Sequence, residues 1–292
     1  MKTLEISTAI LAFAMCSHGQ IDPHTSAPAG VLVNIGQPIT IPFQCTEDDM
    51  QWAGLSCSEQ DPCPIYFEVA AAESLGDRIF AAGNLHSETV TLYSVLLGSD
   101  DAGKTWRELH NRIRGAGLDH IQFLDFASGW ISGEALFPLP QDPFLLLTAD
   151  GGKTWQRQLV LSEMGPGSIQ QFLFTSRDAG LLVIDRGEGS EAERYALYES
   201  PDGGKSWNVK ELSQKPIRLT RTVESEKDWR VRANSSSRSF QIEHRQGERW
   251  TAAASFAVSA GACRPEPLNP TVPEDARPES RTPPSPVKPL RN

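Results

Sequence analysis

Short apolar runs bounded by glycine, proline, aspartate and serine recur along most of the chain, each too short for a stable helix and about right for a strand. Residues 121–126, 129–133, 143–148 and 155–160 read as four successive strands, and the same order returns at 169–174, 180–185, 195–200 and 207–212. An earlier unit fits 65–70, 78–83, 89–97 and 106–109, and a later one fits 217–220, 229–232, 239–243 and 250–253. Apolar runs at 30–35 and 39–43 remain at the front and 254–258 at the back. If these leftovers pair they make a fifth, composite unit, which closes a ring and hides its edges. The pattern therefore predicts an all-β chain, a β-propeller of four to five four-stranded antiparallel blades.

The joints between third and fourth strands repeat almost letter for letter. Ser99-Asp-Asp101-Ala-Gly103-Lys-Thr-Trp106, Thr148-Ala-Asp150-Gly-Gly152-Lys-Thr-Trp155 and Ser200-Pro-Asp202-Gly-Gly204-Lys-Ser-Trp207 lie about fifty residues apart, the spacing of a propeller blade. Within such an octet the aspartate can accept backbone N–H groups, glycine supplies positive φ, and the first hydroxyl adds a local bond. The tryptophan then starts the next strand with a large ring to bury and an indole N–H to satisfy. These residues read as structural, since turns repeated around the periphery cannot converge on one catalytic point. Glu243–Trp250 keeps only the Gly and Trp of the pattern and reads as a fourth, eroded copy.

The two ends break the pattern. Residues 1–19 combine Lys2 with an apolar stretch too short to span a bilayer, which predicts an export signal; Ser17 and Gly19 suit cleavage before Gln20, Ala14 and Cys16 cleavage before Ser17, and a lipid anchor on Cys16 is the minor alternative. Residues 20–64 then form a cysteine-bearing segment, 65–263 the repeats, and 264–292 a proline-rich stretch without apolar periodicity, expected to be disordered. Without Cys16 the cysteines are Cys45, Cys57, Cys63 and Cys263, an even set suited to an oxidising compartment and compatible with three connectivities. Their spacing is not that of zinc knuckles, and no metal or cofactor is expected. Net charge is -10 at pH 7, which argues against nucleic acid as a partner.

The octets resemble the Asp-box, or BNR, repeats of sialidases, sortilin-type receptors and other exported propellers. The longer pattern from Gly129-Trp130-Ile131-Ser132-Gly133 to the second octet is similar to the photosystem II stability and assembly factor family, a likeness that covers roughly residues 65 to 212. The resemblance implies a binding or assembly scaffold without cofactor; the chain departs from that family's seven blades and in its proline tail and cysteines. Sialidase-type catalysis would, by the same resemblance, need an arginine cluster with a Tyr–Glu pair and an acid, but Tyr66, Tyr93, Tyr195 and Tyr198 all fall in apolar strands. A protein partner is thus the first expectation, with a carbohydrate-active or glycan-binding propeller as the alternative. Long loops at 110–119, 134–142 and 185–193 place Arg112, Arg114, Asp119, Glu134, Asp185 and Arg186 as candidate ligand residues around one channel mouth.

Overall fold

A computed structural model describes residues 30–136, 138–161, 165–188, 193–220 and 228–265. The stretch expected to be a leader (with Cys16), Phe137, four residues of the 185–193 loop and most of the proline-rich stretch lie outside the described residues. A short strand β1 (Leu32–Val33) and one helix α1 (Glu47–Ala53) precede four antiparallel sheets. The first sheet is built on β2 (Cys63–Leu75), β3 (Arg78–His86), β4 (Thr91–Ser99) and β5 (Thr105–Glu108). The second contains β6 (Ala116–Phe123), β7 (Gly129–Ala135), β8 (Gln141–Thr148) and β9 (Gln156–Leu159). The third contains β10 (Ser168–Phe174), β11 (Gly180–Asp185), β12 (Tyr195–Ser200) and β13 (Asn208–Ser213). The fourth has β14 (Trp229–Asn234), β15 (Ser239–Gln246) and β16 (Arg249–Ala257), and β17 (Ser259–Cys263) follows it. Each sheet is an up-and-down meander, and together they form a β-propeller of Asp-box type.

Burial explains why the middle strands are almost wholly apolar. Successive side chains of β3 point to opposite faces. Ile79 and Ala81 join a core with Ile242, Ala254 and Phe256 of the fourth sheet, whereas Phe80 and Ala82 join one with Leu118, Ile131 and Trp155 of the second. A third core lies between Trp130 and Leu145 of the second sheet and Phe172, Leu182 and Tyr198 of the third. The sheets therefore stack in the order fourth, first, second, third. A strand covered on both faces needs a continuous apolar run, while β13, at the rim, is exposed along most of its length.

The front and back leftover runs do meet, Ile39 bridging Phe256 in parallel, but they do not make a fifth blade. β1 pairs with β5 through Leu32↔Trp106 and Val33↔Thr105, and β17 pairs with β2 at the other edge, so the first sheet becomes six-stranded. Residues 254–257 extend β16, and only Val258 separates it from β17, so the chain must turn onto the neighbouring inner strand. Residues 217–220 form no strand. The eroded octet is a two-residue hairpin, Gln246↔Arg249 closing over Gly247 at φ 63°. Disulfides join Cys45 to Cys263 and Cys57 to Cys63. Among the described residues no helix is long and apolar enough to cross a membrane.

Candidate functional site

The meander sorts the loops onto two ends. Each Asp-box leads from third to fourth strand, at the same end as the turn from first to second. The opposite end collects the loops between second and third strands, the connections between sheets, and α1.

Each Asp-box satisfies itself. The Asp101 carboxylate accepts from the Lys104 and Thr105 N–H groups (3.1 and 2.8 Å) and from the Thr105 and Ser99 hydroxyls (2.7 and 2.8 Å). Asp150 and Asp202 make the same four bonds. The Thr105 N–H on Asp101 and the Thr154 N–H on Asp150, each aided by that threonine's hydroxyl, lower both pKa values to about 2. The indoles of Trp106, Trp155 and Trp207 each donate to a glycine carbonyl inside their own box at 3.1–3.2 Å. Trp130 is different: it donates at 2.8 Å to Gly203 in the next sheet's box and so latches two blades together.

At the connector end the six candidate residues fall into separate groups and do not form one constellation. Arg112 is held by Glu108 (2.6 Å, both side chains almost fully buried) and by the Pro42 carbonyl. Arg114 is clamped by Asp48 (2.6 Å) and Asp49 (2.9 Å) and lies over the rings of Trp52 and Tyr93. The carboxylates come from α1, whose start at Thr46 is a capping box with Asp49 and whose end at Gly54 is a left-handed cap. Burial opposes the Asp49 charge, but bonds from Tyr93, Thr46 and Arg114 outweigh it and keep its pKa below the usual carboxylate value. The two arginines thus anchor the N-terminal segment. Thr46, three acidic residues and Gly54 are a legible helix signature that the strand pattern overshadowed.

Asp185 pairs with Arg194 across the β11–β12 loop (2.9 Å), beside Arg186. Asp119 and Glu134 lie together on β6 and β7. A bulge sets Asp119 and His120 opposite the single residue Ser132, and the His120 N–H donates to the Ser132 hydroxyl at 3.1 Å. Glu134 is only 5% exposed and accepts the Ile169 N–H at the start of β10 (3.1 Å), tying the second sheet to the third. Burial, and then the nearby Asp119 charge, push the Glu134 pKa up to about 7. Burial also raises that of Asp119. Among the described residues no group of three or more His, Cys, Asp and Glu is arranged to hold a metal ion.

The family model described as photosynthesis system II assembly factor YCF48 matches residues 67–255. Among solved structures, YCF48 bound to D1 peptide is 20% identical, covering 65% of this chain and 54% of that one at a TM-score of 0.31. YCF48 from Cyanidioschyzon merolae is 17% identical over 65% of this chain and 56% of its own, with a TM-score of 0.33. The Penicillium chrysogenum alpha-L-arabinanase complexed with arabinobiose is 13% identical over 80% and 71%, with a TM-score of 0.37. The chain spans about half the length of the two YCF48 structures. No curated protein matches it. The family match runs from the inner strand of the first sheet through the last strand of the fourth, taking in all three Asp-boxes, and the chain belongs to the photosynthesis system II assembly factor YCF48 family.

Proposed function

We propose that this chain is an exported, non-enzymatic protein-binding scaffold of the assembly-factor kind, and that its partner docks on the connector end. The match of the assembly-factor family model to residues 67–255 carries the reading. The connector end supports it physically: it holds the long loops, where binding residues on a rigid scaffold concentrate. Leu139, 69% exposed on the β7–β8 loop, offers an apolar anchor there, and Arg186 a charged one. Export is inferred from the leader at 1–19 and suits a chain with two disulfides.

The test is co-purification from envelope and secreted fractions with the chain from Gln20, with and without residues 264–292, beside a glycan array. A saturable protein partner lost on Leu139→Asp with Arg186→Glu is the expected result. Retention of the partner by that double variant overturns the docking face, and specific glycan binding without a protein partner overturns the scaffold reading. One observation favours a second reading, a carbohydrate-active propeller: Glu134 is a carboxyl poised near neutral pH beside a second carboxyl, the pairing that glycoside chemistry uses. Hydrolysis of a glycan that disappears in Glu134→Gln would select it.

A further inference from the structure

At the end opposite the connector loops, the first and fourth sheets part around a cavity of about 710 Å³. Its size falls in the range of small-ligand and side-chain pockets. One wall is the end of β2 and the turn into β3, with Glu73 and Asp77; the other is the start of the fourth sheet, with Asp228, Trp229 and His244. Trp229 and His244 are cross-strand partners, and their rings stack at 4.5 Å. Ile242, two residues before His244 on the same face, is completely buried in the core shared with the first sheet. The row ending in Trp229 and His244 is only half covered, because the cavity opens where the core stops.

The Asp77 and Asp228 carboxylates beside this aromatic wall are not held as the arginine-paired carboxylates of the connector end are. At the connector end Glu108, Asp48, Asp49 and Asp185 each hold an arginine. At the cavity, neither the Asp77 nor the Asp228 carboxylate takes an ion pair or hydrogen bond from a described residue. The arginine next to Asp77 is turned away: Arg78 binds Asp100 at 2.8 Å and the Gly151 carbonyl of the second Asp-box. Arg107 is also spent on Asp100, at 2.7 Å. The cavity thus combines an indole, which attracts cations and alkyl chains, with two carboxylates, Asp77 and Asp228, that take no counter-charge from the described residues.

We propose that this cavity binds a lysine or arginine side chain presented by a protein partner, with Asp77 and Asp228 accepting its N–H donors and Trp229 packing on its stem or guanidinium plane. Phosphate and carboxylate ligands are repelled by the same charges. The inference rests on the scaffold reading and gives it a second contact, at the end of the propeller away from the docking loops.

The probe is a dye-labelled peptide, Gly-Gly-Arg-Gly-Gly-Lys-Gly-Gly, titrated into the full chain by fluorescence anisotropy at 20 and 300 mM NaCl, with a Glu-for-Arg/Lys peptide and arabino-oligosaccharides as controls. The basic peptide is expected to bind saturably and to weaken at least tenfold in Asp77→Asn/Asp228→Asn and at the higher salt. Binding should be unchanged in Leu139→Asp/Arg186→Glu. Trp229→Phe, which keeps a ring, is expected to lose less than Trp229→Ala, and melting curves of all variants confirm folding. Equal affinity of parent and Asp77→Asn/Asp228→Asn, or preference for the acidic peptide or the sugar, overturns the assignment. A partner captured at the connector end while the basic peptide fails to bind sinks the cavity and leaves the scaffold reading standing; peptide binding here with no captured partner does the reverse.

Discussion

Glu134 makes the stability of the second and third sheets depend on pH in a direction opposite to that of most carboxylates. In the folded chain its pKa is about 7, against an ordinary 4.5, because burial and Asp119 disfavour its charge. Between those values the folded state holds a proton that the unfolded state has released, so unfolding free energy falls as pH rises. Stability from this group is full below pH 4.5 and lost by about pH 7. The difference of about 2.5 pKa units, at about 1.4 kcal/mol each, sets an upper bound of roughly 3 kcal/mol. For a chain of this size that corresponds to a shift of order 10 °C in Tm. Glu134→Gln keeps an oxygen for the Ile169 N–H and removes the charge. Urea unfolding at pH 5, 6, 7 and 8 should show parent and variant alike at pH 5 and the variant more stable at pH 8. His110, whose buried ring resists protonation, contributes stability that grows with pH below its ordinary value, but it is common to both proteins and cancels in the difference. Asp119→Asn, which removes the second cause of the shift, should recover part of the gain. Parallel lines for parent and Glu134→Gln across the series would refute the reasoning.

Three other perturbations test the frame. Gly152 has φ +81° and an added Cβ would meet the Phe80 ring at 2.4 Å, so Gly152→Ala should cost about 1–3 kcal/mol in urea unfolding. The Asp101 and Asp150 carboxylates, with pKa values of about 2, support the fold above the ordinary carboxylate range and lose that support as pH falls through 2; Asp150→Asn should move acid unfolding, followed by circular dichroism, to higher pH. Cys45→Ala opens a link between residues 218 apart, for which the chain-entropy model gives about 5 kcal/mol, so its Tm should drop and become insensitive to a reductant at concentrations that spare Cys57–Cys63.

The octets were the readable part of this sequence because their hydrogen bonds close within four residues, and local chemistry leaves its mark in local letters. The strands of the first three sheets followed, bounded by those turns. The destinations of β1 and β17 were not readable, since pairings such as Leu32↔Trp106 and Cys263↔Cys63 are fixed by what lies beside them in space. The same holds for Arg114, whereas Arg112 is paired locally, with Glu108 four residues before it. A loop arginine looks available for a ligand until a carboxylate from a distant segment claims it, as Asp48 and Asp49 do here. The cavity drew on five separated stretches, around residues 72–79, 102, 228–229, 244–246 and 251–253, which only the fold brings together.

Cys63 and Cys263 are partners on one rung of the first sheet, yet each forms its bond elsewhere, with Cys57 and Cys45. Synthesis runs from the N-terminus, so Cys45, Cys57 and Cys63 emerge together while the proper mate of Cys45 is still 218 residues away. During that interval the thiols nearest to Cys45 along the chain, Cys57 and Cys63, are both wrong partners for it. The bond that staples the ends of the chain must therefore form last, and any earlier capture of Cys45 has to be undone by thiol exchange before β17 can take its place. Expression hosts that supply a disulfide isomerase should give native chain where simple oxidation gives scrambled isomers.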